Sequence, residues 1–122
     1  MVSYFVRYEG EPESLQRFVH HYVSSHIPIL QRFPGIVDVI VHIPAATTDP
    51  LATGADRAFF MAQMIFRSSE ALTHALNGDE RLAARADMAC FPAFRGAVSH
   101  QAFATYGVLQ GDLARAPLLI SV

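Results

Sequence analysis

The sequence predicts an α+β domain in which helices pack on one face of a four-stranded antiparallel sheet. Four segments are rich in β-branched and aromatic residues, as strands are, and the segments between them carry apolar residues at helical spacing. With 122 residues, the chain has the length of one domain with its own core, and we take residues 1–122 as that single domain.

The first half of the chain begins with a predicted strand over residues 2–8, which ends at a Glu9-Gly10 turn. A helix follows, with Pro12 in its first turn and glutamates near its positive end. Apolar residues recur along it at helical spacing: Leu15, Phe18, Val19 and Tyr22. A Pro34-Gly35 turn then leads into the second strand, residues 36–43.

The second half begins with a loop rich in Gly, Pro and Thr and continues with a third strand over residues 58–66. Two short helices, separated at Asn77-Gly78, precede the fourth strand at residues 97–108. The resulting order is β-α-β-β-α-β, the split unit of ferredoxin-like folds.

The third strand is apolar on both of its faces. Strict alternation puts Phe59, Met61, Gln63 and Ile65 on one face and Phe60, Ala62, Met64 and Phe66 on the other. A sheet with helices on one face turns its other face to water, where polar residues are expected. We therefore predict a homodimer closed sheet to sheet into an α+β barrel. The apolar tail, residues 107–122, is expected to pack on its own domain or on the partner.

Composition and charge exclude several classes of function. The net charge of −2 gives no reason to expect nucleic acid or a membrane as a partner, and the absence of lysine excludes Schiff-base chemistry. Cys90 is the single cysteine, so no internal disulfide forms. No signal peptide and no apolar segment of membrane-spanning length is visible, and we expect a cytoplasmic protein.

His26 is the strongest candidate for a catalytic residue. It lies eleven positions after Leu15, at nearly the same helical angle, and so faces the sheet. Pro28 cannot donate a hydrogen bond to the Ser24 carbonyl, so the helix should kink or restart there. The kink either opens a cavity with the imidazole at its wall, or frees a carbonyl that a core histidine binds. An imidazole at a cavity wall can move a proton without a cofactor.

Five other polar residues on apolar segments are candidates for ligand binding: Arg7, Tyr22, His42, Gln63 and His100. The guanidinium of Arg7 suits a carboxylate or phenolate, or else pairs with Glu9. Tyr22 presents its hydroxyl to the cavity of His26 or packs as an aromatic. His42 and His100 are structural or interface histidines or line the pocket, and Gln63 meets the ligand or its symmetry mate.

Other polar residues are assigned structural roles. Tyr4 and Tyr8 share the other face of the first strand from Arg7 and are placed in the dimer core. Cys90, among Met, Ala and Phe, is predicted to be a buried, inert thiol. We predict no metal site, because three histidines of the first helix point to different faces and lack a partnered carboxylate: His20, His21 and His26.

The pattern Tyr22-x3-His26-x-Pro28, followed by Ile29-Leu30 and Pro34-Gly35, resembles the signature of the EthD-like family. Residues 84–94, with Asp87 and Phe91, resemble that family's alanine-rich second helical segment. The resemblance covers residues 2–108 and implies a dimeric α+β barrel whose pocket, between helix and sheet, is lined by His26. Related families include cofactor-free lactone isomerases, quinol monooxygenases, polyketide cyclases and haem-handling enzymes. Because these relatives differ in their reactions, the resemblance to the family implies the fold but not one particular reaction.

Three hypotheses for the function follow. The first is a cofactor-free enzyme acting on a small hydrophobic metabolite, cyclic or aromatic, by isomerisation, cyclisation or lactone chemistry. His26 would carry the proton, and Arg7 or Tyr22 would stabilise the oxyanion. The second is a non-catalytic accessory protein of a degradation pathway that binds such a metabolite. The third, less favoured, is a quinol monooxygenase-like or haem-handling protein, with His74 or His26 on the iron.

Overall fold

The structure is a computed structural model that describes residues 1–52 and 57–112. Its elements are β1 (Val2–Pro12), α1 (Leu15–His21), a π-helical turn (Tyr22–His26), α2 (Ile27–Leu30), β2 (Ile36–His42), β3 (Ala58–Phe66), α3 (Ser69–Leu76), α4 (Asp79–Met88) and β4 (Phe94–Ala104). The strands form one antiparallel sheet in the order β2-β3-β1-β4, which is the ferredoxin-like arrangement. The predicted α+β fold is confirmed.

Strand β1 runs past the turn that we predicted at Gly10. Gly10 pairs with Gly96 of β4, and both have positive φ angles, 114° and 153°. A Cβ on either glycine would overlap a carbonyl oxygen of the opposite strand, so the two backbones can approach this closely only at glycine. The pairing continues past these glycines to Pro12 and Phe94, so β4 begins three residues earlier than predicted; it ends at Ala104, before the predicted residue 108.

Helix α1 begins later than predicted. The Ser14 hydroxyl accepts a hydrogen bond from the Arg17 backbone N–H (3.2 Å) and caps a helix whose first residue is Leu15. Pro12 is the last residue of β1 and does not belong to the first turn of the helix. Leu15 is exposed, so its predicted place on the buried stripe is wrong.

The sheet has a helix face, which the helices cover, and an open face on the other side. On β1, Tyr4, Val6 and Tyr8 point to the helix face, while Phe5 and Arg7 point to the open face. The prediction that the two tyrosines belong to a dimer core is therefore wrong. Tyr8 is fully buried beneath the helices of its own chain.

The alternation predicted for β3 fails at Phe59. The pairing of β1 with β3 shifts at the step from Tyr8 to Glu9, and this leaves Phe59 without a partner in β1. Phe59 and Phe60 both contact Phe18 of α1, with ring centroids 5.0 and 5.5 Å apart. Two successive phenylalanines thus enter the core, and their contacts with Phe18 hold α1 on the sheet.

Two further features concern the last third of the chain. Cys90 is exposed in the turn after α4, so the predicted buried thiol is wrong. Of the predicted tail, residues 113–122 lie outside the described residues.

Across residues 1–52 and 57–112, no helix combines the length and the apolar character needed to span a bilayer.

Candidate functional site

The π-helical turn brings Tyr22 and His26 to the same side of the first helical segment. The Ile27 N–H donates to the Tyr22 carbonyl, five residues back, immediately before Pro28. The disturbance expected at Pro28 thus takes the form of a widened turn and a restart as α2. The imidazole of His26 lies 4.7 Å from the Tyr22 ring, between centroids, and only 4% of the residue is exposed.

His26 is hydrogen-bonded to a carboxylate. Its Nδ1 lies 2.9 Å from Oδ2 of Asp87 on α4. The Ser25 hydroxyl donates to Oδ1 of Asp87 at 2.9 Å, and Nε2 of His21 lies 3.3 Å from Oδ2. An ionised carboxylate can only accept, so Nδ1 of His26 carries the proton. The other ring nitrogen, Nε2, has no hydrogen-bond partner among the described residues and is left as a base.

The protonation states of this pair follow from burial and hydrogen bonding. Burial lowers the pKa of His26 below its ordinary value of 6.5, although the hydrogen bond to Asp87 opposes this. For Asp87, burial raises the pKa, but the hydrogen bonds from His26 and Ser25 and the nearby His21 outweigh it, and the net pKa is lowered. At neutral pH the pair therefore consists of a neutral imidazole and a carboxylate.

A cavity of about 340 Å³ lies between the helices and the helix face of the sheet. Its lining combines aromatic, aliphatic and basic side chains: Tyr4, Val6, Tyr8, Tyr22, His26, Leu30, Phe33, Met64, Leu76, Arg81, Ala84, Arg85, Met88 and His100. Its volume is at the lower end of the range of small-molecule pockets, and a mostly apolar wall with a few polar groups is typical of them.

Two buried phenols line the cavity, and their hydroxyl groups interact with each other. The hydroxyls of Tyr8 and Tyr22 are inaccessible to solvent, and neither makes a hydrogen bond of proper geometry in the described part of the chain. Burial raises the pKa of both groups, so both keep their protons and can donate.

Another part of the cavity wall is basic. His100 of β4 is hydrogen-bonded through Nδ1 to the Tyr4 hydroxyl at 2.9 Å. Arg81 of α4 approaches the same hydroxyl, with Nη2 3.5 Å away, and Arg85 follows one helical turn later. Among the described residues that line this cavity there is no carboxylate.

The structure brings together only part of the predicted site. Tyr22, His26 and His100 share the cavity. Arg7, His42 and Gln63 lie on the open face instead. Arg7 pairs with Glu9 at 2.8 Å, and His42 is hydrogen-bonded to Gln63 at 3.0 Å.

Several residues of the site were not assigned a role in it from the sequence. Asp87 stands out, because sequence analysis found no partnered carboxylate for the histidines of the first helix. The prediction that His21 and His26 point to different faces is wrong, since both contact Asp87. His74 is exposed on α3 and does not line the cavity. No group of three or more metal-ligating side chains occurs within the described ranges.

The fold and the cavity together define a ferredoxin-like α+β protein with a small-molecule-sized pocket between helices and sheet. The EthD domain matches residues 10–94, more than half of the chain, and the chain belongs to this family. A search of the curated proteins gave no match.

Solved structures similar to this chain support the assignment. An EthD family protein from Bacillus halodurans C-125 is 27% identical, with a TM-score of 0.69 over 86% of this chain and 98% of the other. An EthD-like protein from Ralstonia eutropha JMP134 is 23% identical, with a TM-score of 0.59 over 84% and 88%. SnoaB, a cofactor-independent oxygenase from Streptomyces nogalater, is 14% identical, with a TM-score of 0.57 over 87% and 94%. The last two show the fold alone.

Proposed function

We propose that this protein binds a small cyclic or aromatic metabolite in the cavity and transfers a proton within it, with His26 as the acid/base and without a cofactor. The observation that carries the proposal is the hydrogen bond between His26 Nδ1 and Asp87 Oδ2 (2.9 Å) at the wall of a cavity. A carboxylate that holds Nδ1–H fixes the tautomer in which Nε2 accepts a proton. The same carboxylate stabilises the imidazolium once that proton has moved.

The chemical step uses groups that line the cavity. Nε2 of His26 takes a proton from a carbon next to a ligand carbonyl, and the electron pair of the C–H bond moves to the carbonyl oxygen. In the proposed step, the phenol O–H of Tyr22 or Tyr8 turns from the other phenol towards the resulting enolate oxygen and donates to it. Return of the proton from the imidazolium to a different carbon of the enolate isomerises the ligand. Alternatively, the enolate carbon attacks a second carbonyl and closes a ring, and the alkoxide that forms takes the proton back from the imidazolium. General acid–base catalysis of this kind contributes about 10²–10⁴-fold in rate.

A neutral cyclic ketone with an acidic C–H bond, β-tetralone, is a suitable probe for this step. We expect the protein to accelerate exchange of its benzylic protons in D₂O by about 10²-fold or more, followed by proton NMR. His26→Gln and Asp87→Asn should abolish the acceleration, because the first removes the base and the second the group that orients it. His74→Gln, an exposed histidine outside the cavity, is the matched control.

The same experiment distinguishes the non-catalytic hypothesis. If β-tetralone binds but its exchange is not accelerated, the protein is a metabolite-binding accessory protein and His26 has no catalytic role. If His26→Gln lowers the melting temperature while binding and exchange stay as in the wild type, the histidine is structural and the proposal is wrong.

We propose further that two copies pair through the open face. Aromatic and aliphatic side chains there are exposed (Ile40 and Phe103) or only half-buried (Phe5 and Met61). Phe5 and Phe103 pack edge to face, with centroids 5.4 Å apart, beside a shallow depression of about 400 Å³. Exposed apolar patches of this kind mark interaction surfaces, and a second copy offers a matching one.

A cytoplasmic location is part of the proposal, since an exposed free thiol at Cys90 persists in a reducing compartment.

A further inference from the structure

The basic side chains of α4 line the cavity but lack acidic partners. Arg81 and Arg85 are one helical turn apart and both contribute to the cavity wall. In the described part of the chain, neither guanidinium forms an ion pair; the ion pairs found there are Arg7 with Glu9, and His21 and His26 with Asp87. The nearest polar contact of Arg81 is the long one to the Tyr4 hydroxyl, at 3.5 Å. Arg81, which is half-buried, and Arg85, which is exposed, thus bring two positive charges to the cavity wall without an acidic partner among the described residues.

The pKa of His100 is affected by the same two positive charges. Burial lowers its pKa, and the nearby Arg81 and Arg85 lower it further. The Tyr4 hydroxyl accepts a hydrogen bond from Nη2 of Arg81 at 3.5 Å, and it lies 2.9 Å from Nδ1 of His100. Arg81, Tyr4 and His100 therefore form one hydrogen-bonded cluster, and no carboxylate of the described residues pairs with its guanidinium.

We propose that Arg81 and Arg85, with Tyr4 and His100 beside them, bind a carboxylate of the metabolite, which makes the ligand a cyclic or aromatic carboxylic acid. This inference rests on the proposed function, because it assigns the substrate class of the same cavity. A planar guanidinium matches a carboxylate with two parallel hydrogen bonds, which an ammonium does not. The ring of the ligand then lies against the apolar wall, and its carbonyl points to the phenols and to Nε2 of His26.

The test compares acids with their neutral amides. Benzoate and naphthoate are titrated against benzamide and naphthamide by calorimetry at low salt. We expect each acid to bind about 10- to 100-fold more tightly than its amide, the range for hydrogen bonds to a charged group. In Arg81→Gln and Arg85→Gln the preference should fall to a few-fold while the affinity for the amides stays unchanged. Arg17→Gln, an exposed arginine of α1 outside the cavity, serves as the control.

The outcomes separate this inference from the proposed function. Equal affinity for acids and amides would overturn the carboxylate subsite and leave the cavity as a binding site for neutral rings. A preference for acids that survives in both arginine variants, or that Arg17→Gln also removes, would likewise overturn it, because the charge would then act from elsewhere. Failure of all four compounds to bind would overturn both proposals.

Discussion

At the scale of single residues, His26 links stability to pH. Its folded-state pKa lies below the ordinary value of 6.5 because the imidazole is buried. The unfolded chain therefore binds a proton more readily than the folded one as the pH falls below about 6.5. Stabilisation by the neutral imidazole is complete above that pH and is lost as the pH falls through the folded-state pKa. His100, whose pKa is also lowered, contributes with the same sign.

We predict that the melting temperature of the wild type falls between about pH 7 and about pH 5, and that the fall is smaller in His26→Gln. Differential scanning calorimetry at several pH values measures how the melting temperature changes with pH. His74→Gln, which alters an exposed histidine, should reproduce the wild-type slope. An unchanged slope in His26→Gln would mean that its imidazole is not held neutral by burial.

The residues of the site were only partly predictable from the sequence. His26 and Tyr22 lie on the apolar stripe of the first helix, and a polar residue on such a stripe can be recognised from the helical spacing of its apolar neighbours. Asp87 is 61 positions from His26, and no spacing rule connects two residues so far apart in the chain. Arg81 and Arg85 lie on a helix with many charged residues, a pattern typical of a solvated face. Only the packing of α4 reveals that the two arginines border a cavity.

At the scale of elements, the first helical segment keeps a strict spacing of four between buried residues: Phe18, Tyr22, His26 and Leu30. In a regular α-helix of 3.6 residues per turn, a spacing of four drifts steadily around the axis. The π-helical turn, with its longer hydrogen-bonded loop, takes up part of this drift and keeps the four side chains towards the sheet. The break at Pro28 was predictable from the sequence, but a single helical angle for the whole segment puts Leu15 on the wrong side.

The pairing of β1 with β4 depends on two glycines that approach each other across the strands. We predict that Gly10→Ala lowers the free energy of unfolding by more than about 1 kcal/mol, because the new Cβ meets the carbonyl of Arg95 and φ is positive. Urea unfolding measures the loss. Gly111→Ala is the matched control: its φ is also positive, at 81°, but no atom lies within 4 Å of the added Cβ. A loss at Gly10 no larger than that at Gly111 would show that the close approach is unimportant.

At the scale of the whole molecule, the order of the elements was predictable and their ends were not. Four β-rich segments and their alternation with helical segments suffice for a ferredoxin-like sheet, since few topologies connect that order in one layer. The ends of β1 and β4 depend on the contact between Gly10 and Gly96, which joins residues far apart in the chain. The face of Phe59 depends on a shift in pairing with β1, which is a property of two strands together.

The open face of the sheet is the surface through which we expect two copies of the chain to pair. We predict a dimer in solution, with twice the mass of one chain by light scattering at micromolar concentration, because apolar side chains of all four strands are exposed or only half-buried there. Phe103→Glu places a charge on that face, where the wild-type residue is 44% exposed, and should yield monomers that keep the fold. Leu51→Glu, at a loop residue that is 88% exposed, should leave the dimer intact. A monomeric wild type, or a dimer that persists in Phe103→Glu, would contradict pairing through the open face.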